Sequence, residues 1–376
     1  VVFFFTVGLE IKREVSSGEL SSVKKALLPI IAAFGGVIAP AVIYTVINHG
    51  TLAASGWGIP TATDIAFAVC ILSMLGDKVP VSLKVFLTAL AIADDLIAIL
   101  VVALFYGGNI NLELLGMAAL VIIVTLLLRK VGEKKMFPYI VCAFLVWVLF
   151  YYSGIHATMS GVVMAFLIPS APRYNKAQYV RKRNHYIAML EKYEGIDNES
   201  FPNGPQKHCL RRLEKVAHGT MDMSYRVEHS LSPWVNFLIM PIFALANAGV
   251  EISDASYFNV FNYSPELGSV SMGIFLGLLL GKPLGITLFS WIAIKLKIGA
   301  MPDKANWALF FAVACLGGIG FTMSIFVDTL SFANAPADIM MHLRDAGKIA
   351  VLLGSVFSGV LGTILILMFS GKKKTA

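Results

Sequence analysis

Long apolar runs separated by short polar or charged stretches make up most of the chain. Read from their bounding charges and turn residues, they fall near 1–9, 26–47, 57–75, 81–106, 112–128, 137–152, 156–168, 233–250, 270–294, 307–330 and 346–369. A helix that crosses a hydrocarbon layer of about 30 Å needs roughly 20 apolar residues, each rising about 1.5 Å. Most of the runs approach that length, so the pattern predicts an all-α polytopic membrane protein. Of about eleven segments, the first is partial and two are short enough to need tilt or partial burial.

Composition points the same way: 57% of the residues are hydrophobic and 14% charged, outside the balance of a soluble domain. The formal charge of +7 could suggest nucleic acid, but a nucleic-acid domain gathers its cations on one folded polar surface. Here they sit in short groups between apolar runs and read as topology signals, with no nucleic-acid partner expected. Lys12, Arg13, Lys24 and Lys25 follow the first run, whereas the next break, 49–56, has no Lys or Arg. Lys78 follows, then an uncharged turn at 107–111, then Arg129, Lys130, Lys134 and Lys135. Residues 170–232 are rich in Lys and Arg, 251–267 carry acids only, Lys295 and Lys297 come next, and the tail holds Lys372, Lys373 and Lys374. The positive-inside rule then places the basic loops and the C-terminus in the cytoplasm.

Residues 171–232 form the one long break in hydrophobicity and are expected as a cytoplasmic insertion between a membrane half at 1–170 and another at 233–376. Within it, 173–203 has the charge and Pro/Asn content of a solvated loop. Cys70, Cys142, Cys209 and Cys315 are scattered without metal-ligand spacing and read as packing residues. Val1 opens inside an apolar run without a basic leader, so the start is no signal peptide and is expected to be truncated.

An ionisable group at mid-membrane depth costs about 2.5 to 3.5 kcal/mol on insertion scales, so it marks function by default. Four such residues stand out: Asp64, Asp94, Asp95 and Lys282. Asp94 and Asp95 lie in a run with no other charge between Lys84 and the turn beyond Tyr106. Neighbouring helical positions are about 100° apart, so both carboxylates can border one cavity, while Ala89, Ala91, Ala93 and Ala98 let other helices come close. Burial and mutual repulsion should make the pair titrate as a coupled unit. A hard monovalent cation seeks the same oxygens as a proton, and competition at one site suffices for exchange. The bland alternative is a salt bridge from one aspartate to Lys282 that only organises the bundle.

Asp64 follows Gly58, Pro60, Thr61 and Thr63, residues that interrupt a helix. Gly317, Gly318 and Gly320 make a second interruption in the other half of the chain. Broken helices expose backbone groups that are tolerable only against protein or a watery cavity, and a pair of them points to a transport site. For Asp64, neutralising helix-end charge and binding the ion directly stand as alternatives. Lys282 cannot easily reach water from within 270–294 and needs a carboxylate partner, for which Asp94 is the choice. His156 could relay protons, although a lone histidine near an interface is more often a packing residue. Glu10, Glu14, Glu228 and His229 fall where runs meet the cytoplasm, either as a pH-responsive cluster or as ordinary interfacial charges.

Several stretches resemble the NhaA family of sodium/proton antiporters. They are Val7-Gly-Leu-Glu-Ile-Lys-Arg-Glu14, Pro60-Thr-Ala-Thr-Asp-Ile-Ala-Phe-Ala68, Ala91-Ile-Ala-Asp-Asp-Leu96, Gly154-Ile-His-Ala-Thr158, Gly281-Lys-Pro-Leu-Gly285 and Gly317-Gly-Ile-Gly-Phe-Thr-Met-Ser324. The resemblance implies an inverted-repeat helical bundle with two discontinuous crossing helices. That family is itself a standing example of inverted-repeat transporters, so the repeat expectation is not independent of the likeness. It further implies a multi-pass protein of the bacterial inner membrane that exchanges Na+ or Li+ for H+, is regulated by pH and has no cofactor. Asp94 and Asp95 match its ion-binding pair, Lys282 the partner lysine, and Thr63 and Asp64 the polar residues at the helix break. Glu10, Glu14, Glu228 and His229 match its cytoplasmic pH-response cluster, although Tyr225 and Ser232 stand where better-known members have Lys and His. A homodimer is an expectation of the likeness alone, since the family makes its dimer contacts through a periplasmic hairpin ahead of the first run seen here.

Two rival classes fit less well. A sodium-coupled organic-anion symporter would need anion-binding groups beyond Lys282. An intramembrane enzyme would need paired aspartates on separate helices, as in an aspartyl protease, or two Asp-rich Mg2+ sites, as in a prenyltransferase. The chain is therefore not expected to be an enzyme.

Overall fold

The computed structural model describes residues 1–18, 21–107, 111–133, 135–172, 174–192, 204–250, 260–261, 268–333 and 336–370. The helices are α1 (Val2–Ser17), α2 (Val23–Ile47), α3 (Ile65–Met74), α4 (Val81–Phe105), α5 (Leu112–Val131), α6 (Met136–Ser153), α7 (Thr158–Leu167) and α8 (Lys176–Lys192). They continue as α9 (Gly204–Thr220), α10 (Met223–Trp234), α11 (Met240–Ala248), α12 (Val270–Leu276), α13 (Lys282–Lys295), α14 (Trp307–Leu316), α15 (Phe321–Ser331) and α16 (Ala337–Ser370). Every predicted apolar run is helical over most of its length. Seven helical stretches are long and apolar enough to cross a membrane, and two bent pairs raise the number to nine among the described residues. The bent pairs are the 3-10 segment Leu52–Thr61 with α3, at 41°, and α14 with α15, at 53°.

The chain divides into two compact units, one of residues 1–13 and 109–239, the other of 14–108 and 240–376. In the first unit, α5 and α6 form an antiparallel hairpin. Asn111 caps α5 by accepting from the Glu113 and Leu114 amides at 3.0 and 3.4 Å, and Gly132 ends it at φ +84°. Apolar side chains such as Leu120, Ile123, Phe137 and Phe144 are exposed on this hairpin, as a lipid-facing surface requires. Helix α1 packs on α7 through Gly8 and Gly161; a Cβ on Gly8 would lie 2.8 Å from Ala165 Cβ.

The sequence reading leaves 173–203 as a solvated loop, yet α8 occupies Lys176–Lys192 within it and packs against α9. A polar helix gives no hydrophobic period to read, and its stability comes from the neighbour it packs on. Residues 193–203 of that expected loop lie outside the described residues, as do 251–259, 262–267 and Lys372, Lys373 and Lys374 of the topology argument.

In the second unit, α2, α3, α4, α13, α14 and α16 share a core around Leu72, Leu83, Leu87, Ile286, Phe310 and Leu316. Helices α2 and α13 approach backbone to backbone. A Cβ on Gly35 would lie 2.6 Å from Phe289 Cγ, one on Gly285 would lie 2.8 Å from Ala39 Cβ, and one on Gly281 would lie 2.8 Å from Pro40 Cα. Gly285→Ala is therefore expected to destabilise the protein by roughly 1–3 kcal/mol through overpacking, seen as a lower melting temperature in detergent. Gly116→Ala in α5, with open space around it, should leave the melting temperature unchanged or raise it.

Candidate functional site

The two bends meet. Thr63 lies in the break before α3, and its hydroxyl donates to the Gly317 carbonyl, in the break after α14, at 2.7 Å. The Asp64 amide donates to the Ile319 carbonyl at 2.7 Å, and Ser324 Oγ reaches the Ala62 carbonyl at 3.4 Å. Phe67 of α3 and Phe321 of α15 pack edge to face with ring centroids 4.9 Å apart. Backbone groups left over by each interruption are thus satisfied by the other, which is what makes irregular backbone tolerable among membrane helices.

Asp64 serves two helix ends at once. Its Oδ1 accepts from the Phe67 amide of α3 at 3.3 Å, and its Oδ2 accepts from both the Thr322 amide of α15, at 3.1 Å, and the Thr322 hydroxyl. Both ends are N-termini, where partial positive charge gathers, so one carboxylate answers two helix dipoles. Two further donors at the start of α15, the Gly320 and Phe321 amides, go to Ser355 Oγ of α16 at 3.2 and 3.0 Å.

Lys282 follows a π-helical turn, Gly277–Gly281, that joins α12 to α13. Its side chain is 1% exposed. The ammonium donates to Asp94 Oδ2 and to Thr63 Oγ1, the latter at 2.7 Å. A continuous line of polar contacts therefore runs from Asp94 in the middle of α4 through Lys282 and Thr63 to the Gly317 carbonyl at the C-terminal end of α14. Asp94 and Asp95 are both buried and both act electrostatically on Lys282, and Asp94 Oδ1 accepts no hydrogen bond from the described residues. Thr63, Asp64, Asp94, Asp95 and Lys282 are thus brought to one place. Thr322 and Ser355 belong with them; Thr322 lies in the glycine-rich stretch Gly317–Ser324, whereas nothing in the sequence marks Ser355.

The other predicted residues lie elsewhere. Glu10 and Glu228 both meet Arg13, which forms a buried-side ion pair with Glu228 and lies 3.9 Å from Glu10. His229 is exposed, and the Tyr225 ring beside it stacks on it at 5.8 Å. Glu14 is half-buried near the end of α1, and His156 is half-buried just ahead of α7. The sequence reading treated Lys12 as a topology cation, yet it is buried and donates to the Ala165, Phe166 and Ile168 carbonyls at the end of α7. Burial pulls the Lys12 ammonium down to about 8, with Arg129 adding to the shift and Asp222 opposing it.

Many membrane helices arranged around a buried lysine and carboxylates, where two broken helices meet, define a polytopic membrane transporter. The profile of the family described as "Na+/H+ antiporter 1" matches residues 1–366, and the chain belongs to that family. The Na(+)/H(+) antiporter NhaA of Oleidesulfovibrio alaskensis is 43% identical over 364 residues, covering 97% of this chain and 78% of that protein. NhaA of Helicobacter pylori is 42% identical over 375 residues, covering 100% of this chain and 82% of that one. Among solved structures, the sodium proton antiporter MjNhaP1 of Methanocaldococcus jannaschii, determined at pH 8, shares the fold. Its TM-score is 0.55 at 16% identity, over 99% of this chain and 84% of that one.

Proposed function

We propose that the protein exchanges Na+, with Li+ as an alternative, for H+ across the bacterial inner membrane. Both ions compete for Asp94 and Asp95. The observation that carries this reading is the buried Asp94–Lys282 pair with Asp95 beside it, set where the two helix breaks meet. One ammonium against two carboxylates leaves a single negative charge out of water. Such a charge is strongly disfavoured unless it is balanced. One Na+ or one proton balances it, and both together would leave an excess positive charge. Electrostatics therefore make the ions mutually exclusive, and that is the requirement for exchange.

Thr63 and Asp64 hold the breaks in register so that the carboxylates face the same space. Glu10, Glu14, Glu228 and His229, where α1 and α10 meet the cytoplasm, form the pH-response region of this reading. The basic loops and C-terminus lie in the cytoplasm, the lipid bilayer is the surrounding partner, and a homodimer is the expected assembly. Residues 1–170 and 233–376 are the N- and C-terminal membrane halves of this reading, with 171–232 as a cytoplasmic insertion between them.

The test is made in inside-out vesicles from a bacterium lacking its own antiporters. NaCl and LiCl are expected to collapse a respiration-generated pH gradient promptly, and KCl is not. If well-inserted protein gives no response to Na+ between about pH 6.5 and 9, a range bracketing the unperturbed histidine and α-amino values, exchange is refuted. A sodium-coupled symporter would then become the better reading.

A further inference from the structure

Asp328, in the last turn of α15, is fully buried, and neither of its carboxyl oxygens accepts a hydrogen bond from the described residues. It sits six residues beyond Thr322, the residue that binds Asp64, or about 9 Å along the helix axis. The broken span α14–α15 starts after the basic stretch that holds Lys295, Lys297 and Lys304 and ends at Ser331. Asp328 therefore lies at the end of that span away from the basic turn, which the proposed topology makes the extracytoplasmic end.

Its surroundings are polar yet committed to other partners. Tyr44 of α2, Tyr106 at the end of α4, and Arg344, Asp345 and Lys348 of α16 are its electrostatic neighbours. Helix α11 and the segment Leu52–Thr61, which also pack on α15, carry no titratable side chain. The Tyr44 hydroxyl donates to the Ala53 carbonyl, and the Tyr106 hydroxyl to the Ser55 carbonyl, each at 2.8 Å. Arg344 Nη2 donates to the Thr329 carbonyl at 2.6 Å, and Lys348 Nζ to the Gly249 carbonyl at 2.8 Å. Arg344 Nε is itself a buried donor without an acceptor among the described residues, on a side chain that acts electrostatically on Asp328. Gly347 makes room for the carboxyl, because a Cβ there would collide with Asp328 Oδ1.

An ionised carboxylate in such a place loses its hydration and receives no hydrogen bond from the described residues, a cost that the charges of Arg344 and Lys348 offset only in part and that a bound proton removes. A sodium ion would need a shell of oxygens, and the attraction of Asp345 is outweighed by the repulsion of Arg344 and Lys348 together. A proton needs one covalent bond. Resting on the exchange reading above, we infer that Asp328 is a proton-relay group on the path between the Asp94–Asp95 site and the extracytoplasmic face. It takes a proton from the water on that side and passes it inward as the site releases its sodium ion. Hydronium loses one O–H bond and leaves as water while an O–H bond forms on Asp328; that bond then breaks as water hands the proton on to the site carboxylate, and no other bond changes. Asp328 carries the proton itself and does not touch the sodium ion.

Asp328→Asn keeps the shape and removes the exchangeable proton. In proteoliposomes of the purified full chain, turnover is expected to fall by at least about tenfold. That is less than the roughly 10²–10⁴-fold of a terminal acid–base group, because water can replace part of a relay. The KM for Na+ should stay within about twofold, since uniform sodium binding is untouched. Turnover should also become insensitive to the pH on the extracytoplasmic side. Infrared difference spectroscopy, which needs no turnover, should show a protonated-carboxyl C=O band in the wild type that the variant lacks. Wild-type turnover and pH profile in the variant would overturn the relay, as would a raised KM for Na+ with an unchanged pH profile, or the absence of that band from the wild type. Failure of the wild type itself to exchange Na+ for H+ would instead refute the function, a separately visible result.

Discussion

Asp95→Asn is expected to abolish sodium-driven proton movement while leaving a folded, membrane-inserted protein. Asp94→Asn should reduce exchange severely or change its ion dependence. The asymmetry follows from the partners. Asp94 already has the Lys282 ammonium on one oxygen, so less of its charge is open to an arriving ion and its neutralisation is expected to be the less complete loss. Asp95 also acts electrostatically on Lys282, and in the exchange proposed above its carboxylate meets the arriving ion. A hydrogen bond or contact to a charged group contributes about 1.5–3 kcal/mol, which corresponds to a loss of roughly ten- to a hundredfold in cation binding for each carboxylate neutralised. The check is the Na+ dependence of gradient collapse in vesicles, with insertion followed by size-exclusion of the extracted protein. Full activity in both variants would remove the site from α4 altogether.

Lys282→Ala should be the most destabilising single change in the second unit. It leaves the buried Asp94 carboxylate without its counter-ion and Thr63 Oγ1 without its donor, and breaking one side of a buried pair costs about 3–5 kcal/mol. The melting temperature in detergent should fall clearly, together with sodium affinity. Adding Asp94→Asn to Lys282→Ala should recover part of the loss, because the second change removes the orphaned charge, and the double-mutant cycle measures that coupling. An unchanged melting temperature in Lys282→Ala would mean that the ammonium is hydrated and unpaired in the protein.

Much of this architecture was legible because membrane helices leave a coarse record. Length and hydropathy locate them, and Gly58, Pro60, Gly317, Gly318 and Gly320 mark where two of them stop being regular. Charges inside apolar runs did the same for Asp64, Asp94, Asp95 and Lys282. Where charge and helix coincide near a membrane face, the same reasoning failed. Helix α16 begins at Ala337, nine residues before the predicted run at 346, because Asp338, Arg344 and Asp345 hide its first turns from a hydropathy reading. Asp328 fell inside the predicted run 307–330 and was passed over, since one acid near the end of an apolar stretch reads as a boundary. Helix α8 escapes for the opposite reason, its few apolar residues, such as Tyr179, Tyr186 and Leu190, being too sparse among charges to announce it. Ser355 could not have been found at all, because a serine that satisfies two backbone amides of another helix looks like any other serine in a chain.

The double grip of Asp64 has a mechanical consequence. One short side chain is clamped to the starts of α3 and α15 together, and the break before α3 is stitched to the break after α14 by Thr63 and by the Asp64 amide. Two helices far apart in the chain therefore share a single rivet and cannot slide past one another without shearing several hydrogen bonds at once. In the exchange proposed above, any rocking that opens the ion site first to one side of the membrane and then to the other must carry this riveted crossing as one piece. The flexing then falls to parts it does not clamp, such as the π-helical turn just before Lys282.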